Sequence, residues 1–150
     1  MKTQTISVSR FTEDSNFWNL AQVATEKWQM FWETARREEK LSPTKIKTPW
    51  RVREVEFFKT LPEAERNAYM LKAFYGQISG NGYPTWVVNE YHYYNPLVCE
   101  ALEKVGKPAC LSAAQNLTSM STQNVNFEKI GREFAANKAA FIKEVEEYFQ

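Results

Sequence analysis

From Asp14 to about Lys40 the apolar residues fall at Phe17, Leu20, Ala24, Trp28, Phe31, Trp32 and Ala35. Steps of three and four put them on one face of a 3.6-residue repeat, which predicts a long amphipathic helix laid against a core. Asp14 or Ser15 supplies the N-cap oxygen, and the helix must stop at or before Pro43. The next stretch, KIKTPWRVREVEFF, has no single period. Val52, Val55 and Phe58 suit a helix, whereas Trp50, Val52 and the alternating charges suit a strand, so helix, strand and loop all stay open there.

Thr60-Leu61-Pro62-Glu63 has the capping-box pattern, in which the Thr60 hydroxyl bonds the amide of residue 63 and Glu63 reaches back. The helix it opens carries Ala64, Ala68, Leu71, Tyr75 and Ile78 on one side, and Gly80 is its expected end. Asn95-Pro96 predicts the N-cap and first residue of another helix, with Leu97, Val98, Ala101, Leu102 and Val105 apolar and Gly106 at C′. Pro108 begins the next, carrying Leu111, Ala114 and Leu117, and the polar run TSMSTQNVN reads as a loop. A last helix is expected from about Phe127 to Phe149, with Phe127, Ile130, Phe134, Phe141, Val145 and Tyr148 as its buried stripe and Glu144, Glu146 and Glu147 on its solvated face. No segment alternates with period two between hairpin turns. The pattern therefore predicts an all-α protein: one domain over residues 1–150, six or seven helices around an aromatic core, with residues 1–13 as a flexible N-terminus.

Composition supports one core and adds little about partners. Of 150 residues, 43% are hydrophobic and 15% aromatic, enough to fill one sizeable interior. Nineteen Lys and Arg residues face 18 Asp and Glu, so no global field points to nucleic acid or an acidic ligand. The chain lacks a signal-like apolar run and the roughly 20 apolar residues that span a bilayer, so a cytoplasmic protein without membrane contact is expected. Cys99 and Cys110 are expected to be reduced thiols on apolar helix faces.

Candidate chemistry is sparse. There is no phosphate-binding glycine loop, no HExxH, no CxxC and no GxSxG, and His92 is the only histidine. A histidine-based metal cluster is excluded, and neither a metal, a cofactor nor an enzymatic activity is expected. A dyad of His92 with Cys99 or Cys110 is a remote option, and Glu90, the one carboxylate in an aromatic setting, reads as a surface residue.

The richest stretch is QISGNGYPTWVVNEYHYYN, residues 77–95. Gly80 and Gly82 accept positive φ where two helices turn sharply, and Asn81 tolerates the same region. Tyr83, Trp86 and Val87 share one helical face that packs back on Leu71, Tyr75 and Ile78, and Asn89 is placed to bond backbone groups at the helix end. Tyr91, His92, Tyr93 and Tyr94 are different, because no helix or strand buries four consecutive rings. Some must face water, where tyrosines give large contact area at low entropy cost, so these four are the expected protein-binding residues. A second surface is Lys45, Lys47, Trp50, Arg51 and Arg53, four cations and an indole with no acid among them, which is the chemistry of nucleic-acid contact.

Residues from about 61 to 117 resemble a bacterial helical family, the DMP19-like proteins, first catalogued as a domain of unknown function and including a DNA mimic. The resemblance rests on "LPEAER", then Gly80-Asn81-Gly82-Tyr83 followed by Trp86 and Asn89, then "ALEKVG". It implies an all-α fold in which those residues are mainly structural. DNA mimicry is not implied for this chain, because a mimic needs a dense carboxylate surface and this chain is nearly neutral. The leading expectation is a non-enzymatic bacterial or phage protein that docks on a protein partner as an inhibitor, immunity or anti-defence protein.

Overall fold

A computed structural model describes residues 10–41, 50–120 and 125–150. Among the described residues there are six α-helices and one 3-10 turn, and no strand: α1 Asn16–Leu41, α2 Trp50–Lys59, α3 Glu63–Val88, the turn Tyr91–Tyr94, α4 Asn95–Val105, α5 Pro108–Ser119 and α6 Phe127–Tyr148. The protein is all-α, as the periodicity predicts. No described helix is long and apolar enough to cross a membrane.

α3 is the central helix and packs against α1, α4 and α6. Ala21 and Ala24 of α1 are fully buried, and side chains this small let two helix backbones approach closely. The interior is aromatic. Phe74 lies with its ring centroid 5.7 Å from Trp86, 5.6 Å from Phe134, 6.1 Å from Phe141 and 6.2 Å from Tyr83, mostly edge to face as ring quadrupoles prefer. Residues 10–13 belong to the stretch expected to be flexible, yet Phe11 is buried between Phe17 and Tyr75, at 4.4 and 4.9 Å. The backbone amide and hydroxyl of Thr12 donate to Glu146.

Several helix ends match the sequence signals. Ser15 Oγ accepts from the Trp18 amide and caps α1, Gly106 closes α4 in the left-handed region at φ 66°, and Pro108 opens α5. Asn126 Oδ1 accepts from the Lys129 amide and opens α6. Other signals are overridden. The Thr60 hydroxyl does not cap α3; it donates to the Phe57 carbonyl at 2.6 Å and closes α2, because α3 begins at Glu63 after Pro62. α3 also runs on through Gly80 and Asn81, and its break comes at Gly82, with φ 80° and ψ 172°. A Cβ there would meet only Pro84 Cδ at 3.7 Å, so the backbone angle, not crowding, is what calls for glycine.

On the apolar faces, Leu111, Phe127, Tyr148 and Ala64 lie toward solvent, and Ile142 and Phe149 are buried in α6 and just after it. Phe127 and Tyr148 are the first and last residues of α6 and lie about five whole turns from the buried Val145 and Ile130, on the same faces, so their place at the helix ends and not their face goes with their exposure. Glu144 is likewise not on a solvated face. Its two carboxylate oxygens accept from the amides of Ala109 and Cys110 at 3.0 and 2.9 Å, capping the first turn of α5 from a neighbouring helix. Both cysteines are free thiols, Cys110 buried and Cys99 partly so. Burial, with Glu144 next to it, pushes the Cys110 thiol well above its ordinary pKa, and burial also raises that of Cys99.

Candidate functional site

The most distinctive local geometry lies where α3 ends and α4 begins. After the break at Gly82 the helix continues to Val88, and Tyr83 and Trp86 point into the core, both essentially inaccessible. Trp86 packs on Phe74, while Val87 faces outward instead of sharing its face. The indole of Trp86 donates to Asn95 Oδ1 at 2.8 Å. Asn95 is thus already helical and spends its side chain on Trp86, where the sequence pattern suggests an N-cap.

The corner itself turns on Glu90, at φ 63° the one non-glycine residue with positive φ among the described residues. Its amide donates to the Val87 carbonyl, and the Tyr93 amide donates to the Glu90 carbonyl, so two short hydrogen-bonded turns sit back to back. A glutamate held there costs about 1 kcal/mol of backbone strain that packing must offset.

The tyrosine run divides at this corner. Tyr94 is 1% exposed and packs edge to face on Phe58, so it is a core residue and not, as the sequence suggests, a surface contact for a partner. Its burial, with the Glu54 carboxylate nearby, raises its hydroxyl pKa far above the ordinary 10.0. Tyr91 is half-buried, stacked on Trp86 at 5.1 Å and covered by the Arg51 guanidinium 4.0 Å from its ring centre. His92 and Tyr93 stack on each other at 4.6 Å, and Tyr93 is exposed. Next to them Val88, at the end of α3, is 77% exposed. A 3-10 turn has about three residues per revolution, which sends four consecutive rings in different directions. That is how one ring enters the core while its neighbours stay outside.

Below the corner is a polar seam that the sequence did not reveal. Glu54 in α2 is 0% exposed. One carboxylate oxygen accepts from Trp28 Nε1 and, at 3.2 Å, from Trp32 Nε1, and the other accepts from Arg51 at 2.8 Å. Arg51 also donates to the Asn89 backbone carbonyl through Nε and Nη2, at 3.3 and 3.2 Å, so Asn89 joins the site through its backbone. Burial works against the Arg51 charge, but Glu54 more than compensates and its pKa stands above the ordinary value. Burial, with Glu54 added, also raises the pKa of Tyr69, which stacks on Phe58. With both oxygens occupied and no exposure, Glu54 has no free lone pair facing solvent. Its arrangement suits holding α1, α2 and the corner together rather than moving a proton.

The other residues singled out in the sequence are placed as follows. Trp50 stacks on Trp32 at 4.3 Å, in the first turn of α2, so the ambiguous segment is helical from residue 50. Arg51 points inward, and Arg53 lies over the Trp50 ring at 4.9 Å and pairs with Glu38 at 3.5 Å. Lys45 and Lys47 lie outside the described residues. Gly80 and Asn81 are helical, leaving Gly82 as the one glycine of that stretch with positive φ. Cys99 directs its thiol to the Ala114 carbonyl at 3.9 Å. Among the described residues, no three of His, Cys, Asp and Glu are placed to hold a metal.

Sequence reasoning missed Glu54, because a glutamate amid Arg51, Arg53 and Glu56 looks like part of a solvated charge pattern. The one available signal was the pair Trp28 and Trp32, two indoles one helical turn apart, each needing an acceptor if buried.

No curated protein and no solved structure matches this chain. A family model described as DMP19-like protein matches residues 59–150, which takes in α3 to α6 and reaches past the segment carrying the sequence resemblance. It covers the Gly82 break, the corner and the rings around Phe74 but begins at the last residue of α2, and on that match the chain belongs to the DMP19-like protein family.

Proposed function

We propose that this protein is a non-enzymatic module that docks on a protein partner through the corner between α3 and α4, in the manner of an inhibitor, immunity or anti-defence protein. The observation that carries the reading is the exposed ring of Tyr93, stacked on the partly buried His92 and presented with Val88 on a corner whose backbone is fixed from below. Stacking restricts the rings before any partner arrives, and pre-ordered aromatics lose little entropy on binding. Tyr91 supports the corner beneath Arg51, and Tyr94 anchors it. The saturated, inaccessible Glu54 and the dispersed carboxylates favour docking over chemistry. Nucleic-acid contact is the weaker reading, since Arg51 and Arg53 are engaged by Glu54 and Glu38.

The test is capture of a partner from nuclease-treated bacterial lysate at low and high salt, using the full chain and a Val88→Asp/Tyr93→Ala variant. Docking through the corner predicts a discrete protein held at high salt by the parent and lost by the variant. Capture that requires intact nucleic acid and fades steeply with salt would move the reading to the basic segment. Equal capture by parent and variant would remove the corner.

A further inference from the structure

On the side of the molecule where α3 begins and α6 ends, an open pocket of about 640 Å³ lies among α1, α3, α4 and the residues after α6. Leu20, Ala64 and Phe149 give it apolar walls, and Glu63 and Lys104 stand at it as an ion pair 3.4 Å apart. Both of those side chains are about half exposed, so the pair is weak and is readily parted. Asn67, also in the wall, is 2% exposed, and its side-chain oxygen has no hydrogen-bond donor. A buried amide oxygen without a donor is unfavourable, so a ligand donor that reached it would remove that cost.

These three features ask for one kind of guest. The charge pair calls for an ammonium beside Glu63 and a carboxylate beside Lys104, the walls call for an apolar body, and Asn67 calls for a donor at the far end of that body. The volume falls within the roughly 300–1,000 Å³ usual for small-molecule sites. We propose that this pocket binds a small zwitterion with an aromatic body that carries a hydrogen-bond donor, the chemistry of a free aromatic amino acid. This site is separate from the corner of α3 and α4, and its ligand does not depend on the docking reading.

The experiment titrates the full ¹⁵N-labelled chain with L-tryptophan and follows backbone amide shifts. Saturable shifts at residues 63, 64, 67 and 104 are expected. Tryptamine lacks the carboxylate, indole-3-propionate lacks the ammonium and L-phenylalanine lacks the donor, and each should bind about two- to fivefold more weakly. Ala64→Phe fills the pocket from an exposed helical position and should abolish the shifts while leaving helicity and Tm unchanged. Lys104→Gln should weaken L-tryptophan and leave tryptamine unaffected. No saturable shift up to the solubility limit of L-tryptophan, shifts that persist in Ala64→Phe, or equal binding of tryptamine and L-tryptophan would each overturn the proposal.

Discussion

The core around Phe74 and the seam around Glu54 are both buried, yet they are held by different physics. The first is a set of rings fitted edge to face, in which each contact is weak, uncharged and replaceable by another apolar group of similar volume. The second depends on two carboxylate oxygens accepting from two indoles and a guanidinium, so it is directional and carries charge. A core of the first kind responds to lost volume. A seam of the second kind responds to lost charge at constant volume, because what remains is a buried donor without a partner. The two also divide along the family match: Phe74 and the rings around it at Tyr83, Trp86, Phe134 and Phe141 lie within residues 59–150, whereas Trp28, Trp32, Arg51 and Glu54 all precede it.

The largest effect is expected from Phe74→Ala, which leaves a cavity among Tyr83, Trp86, Phe134 and Phe141 and should cost about 3–5 kcal/mol by urea denaturation. Glu54→Gln comes next. It keeps the volume but turns an amide NH₂ toward either Arg51 or the indoles, and should cost about 2–3 kcal/mol. Its control is Leu71→Met, a volume-conserving change in the core, expected to cost less than about 1.5 kcal/mol. If the two isosteric changes cost the same, the distinction between seam and core fails. A double-mutant cycle of Glu54→Gln with Trp32→Phe sharpens it, since two residues sharing one hydrogen bond should show a coupling of about 0.5 kcal/mol or more.

Alkaline pH acts on both regions through hydroxyls. Tyr69 and Tyr94 beside the seam, and Tyr83 in the core, have pKa values raised above 10.0, chiefly by burial. The unfolded chain gives up these protons near 10.0 while the folded chain keeps them, so their contribution is intact below that pH and is lost as pH rises through the folded values. Denaturation midpoints should be flat on this account up to about pH 9 and fall steeply above about pH 10. Absorbance near 295 nm should show a late group of tyrosinates that appears together with loss of helical circular dichroism. Appearance of all tyrosinates before any unfolding would contradict the burial of these three rings.

The same contrast explains what could be read from the sequence. Helix existence followed from apolar periodicity because tertiary burial enforces it over many residues, so α1, α4 and α6 were legible, as were ends set by local chemistry at Ser15, Gly106 and Pro108. What was not legible was set by a competing partner or turn outside the helical pattern, near in sequence or far. Glu144 looked solvated because the amides it caps are 34 and 35 residues away. Asn95 has the pattern of a cap, but its side chain is taken by the Trp86 indole. Thr60 and Glu63 had the right spacing for a capping box, but the close of α2 took the hydroxyl first. In the tyrosine run, that some rings must face water followed from counting them; which ones depended on the left-handed turn at Glu90 and the 3-10 geometry after it.

Tyr93→Ala should have the smallest effect on stability, within about 0.5 kcal/mol, because an exposed ring stacked on one neighbour makes few buried contacts. It is nonetheless the variant that separates the site from its support. Tyr94→Ala removes a core ring and should cost about 3–5 kcal/mol, so loss of partner capture in that variant would say nothing about contact. Tyr91→Ala also removes the surface on which Arg51 rests. If Tyr93→Ala keeps the denaturation midpoint and loses capture, the outer half of the corner is the contact and the inner half its scaffold. If Tyr93→Ala itself shifts the midpoint by more than about 1 kcal/mol, the ring belongs to the fold, and the division of the tyrosine run into anchor and contact is wrong.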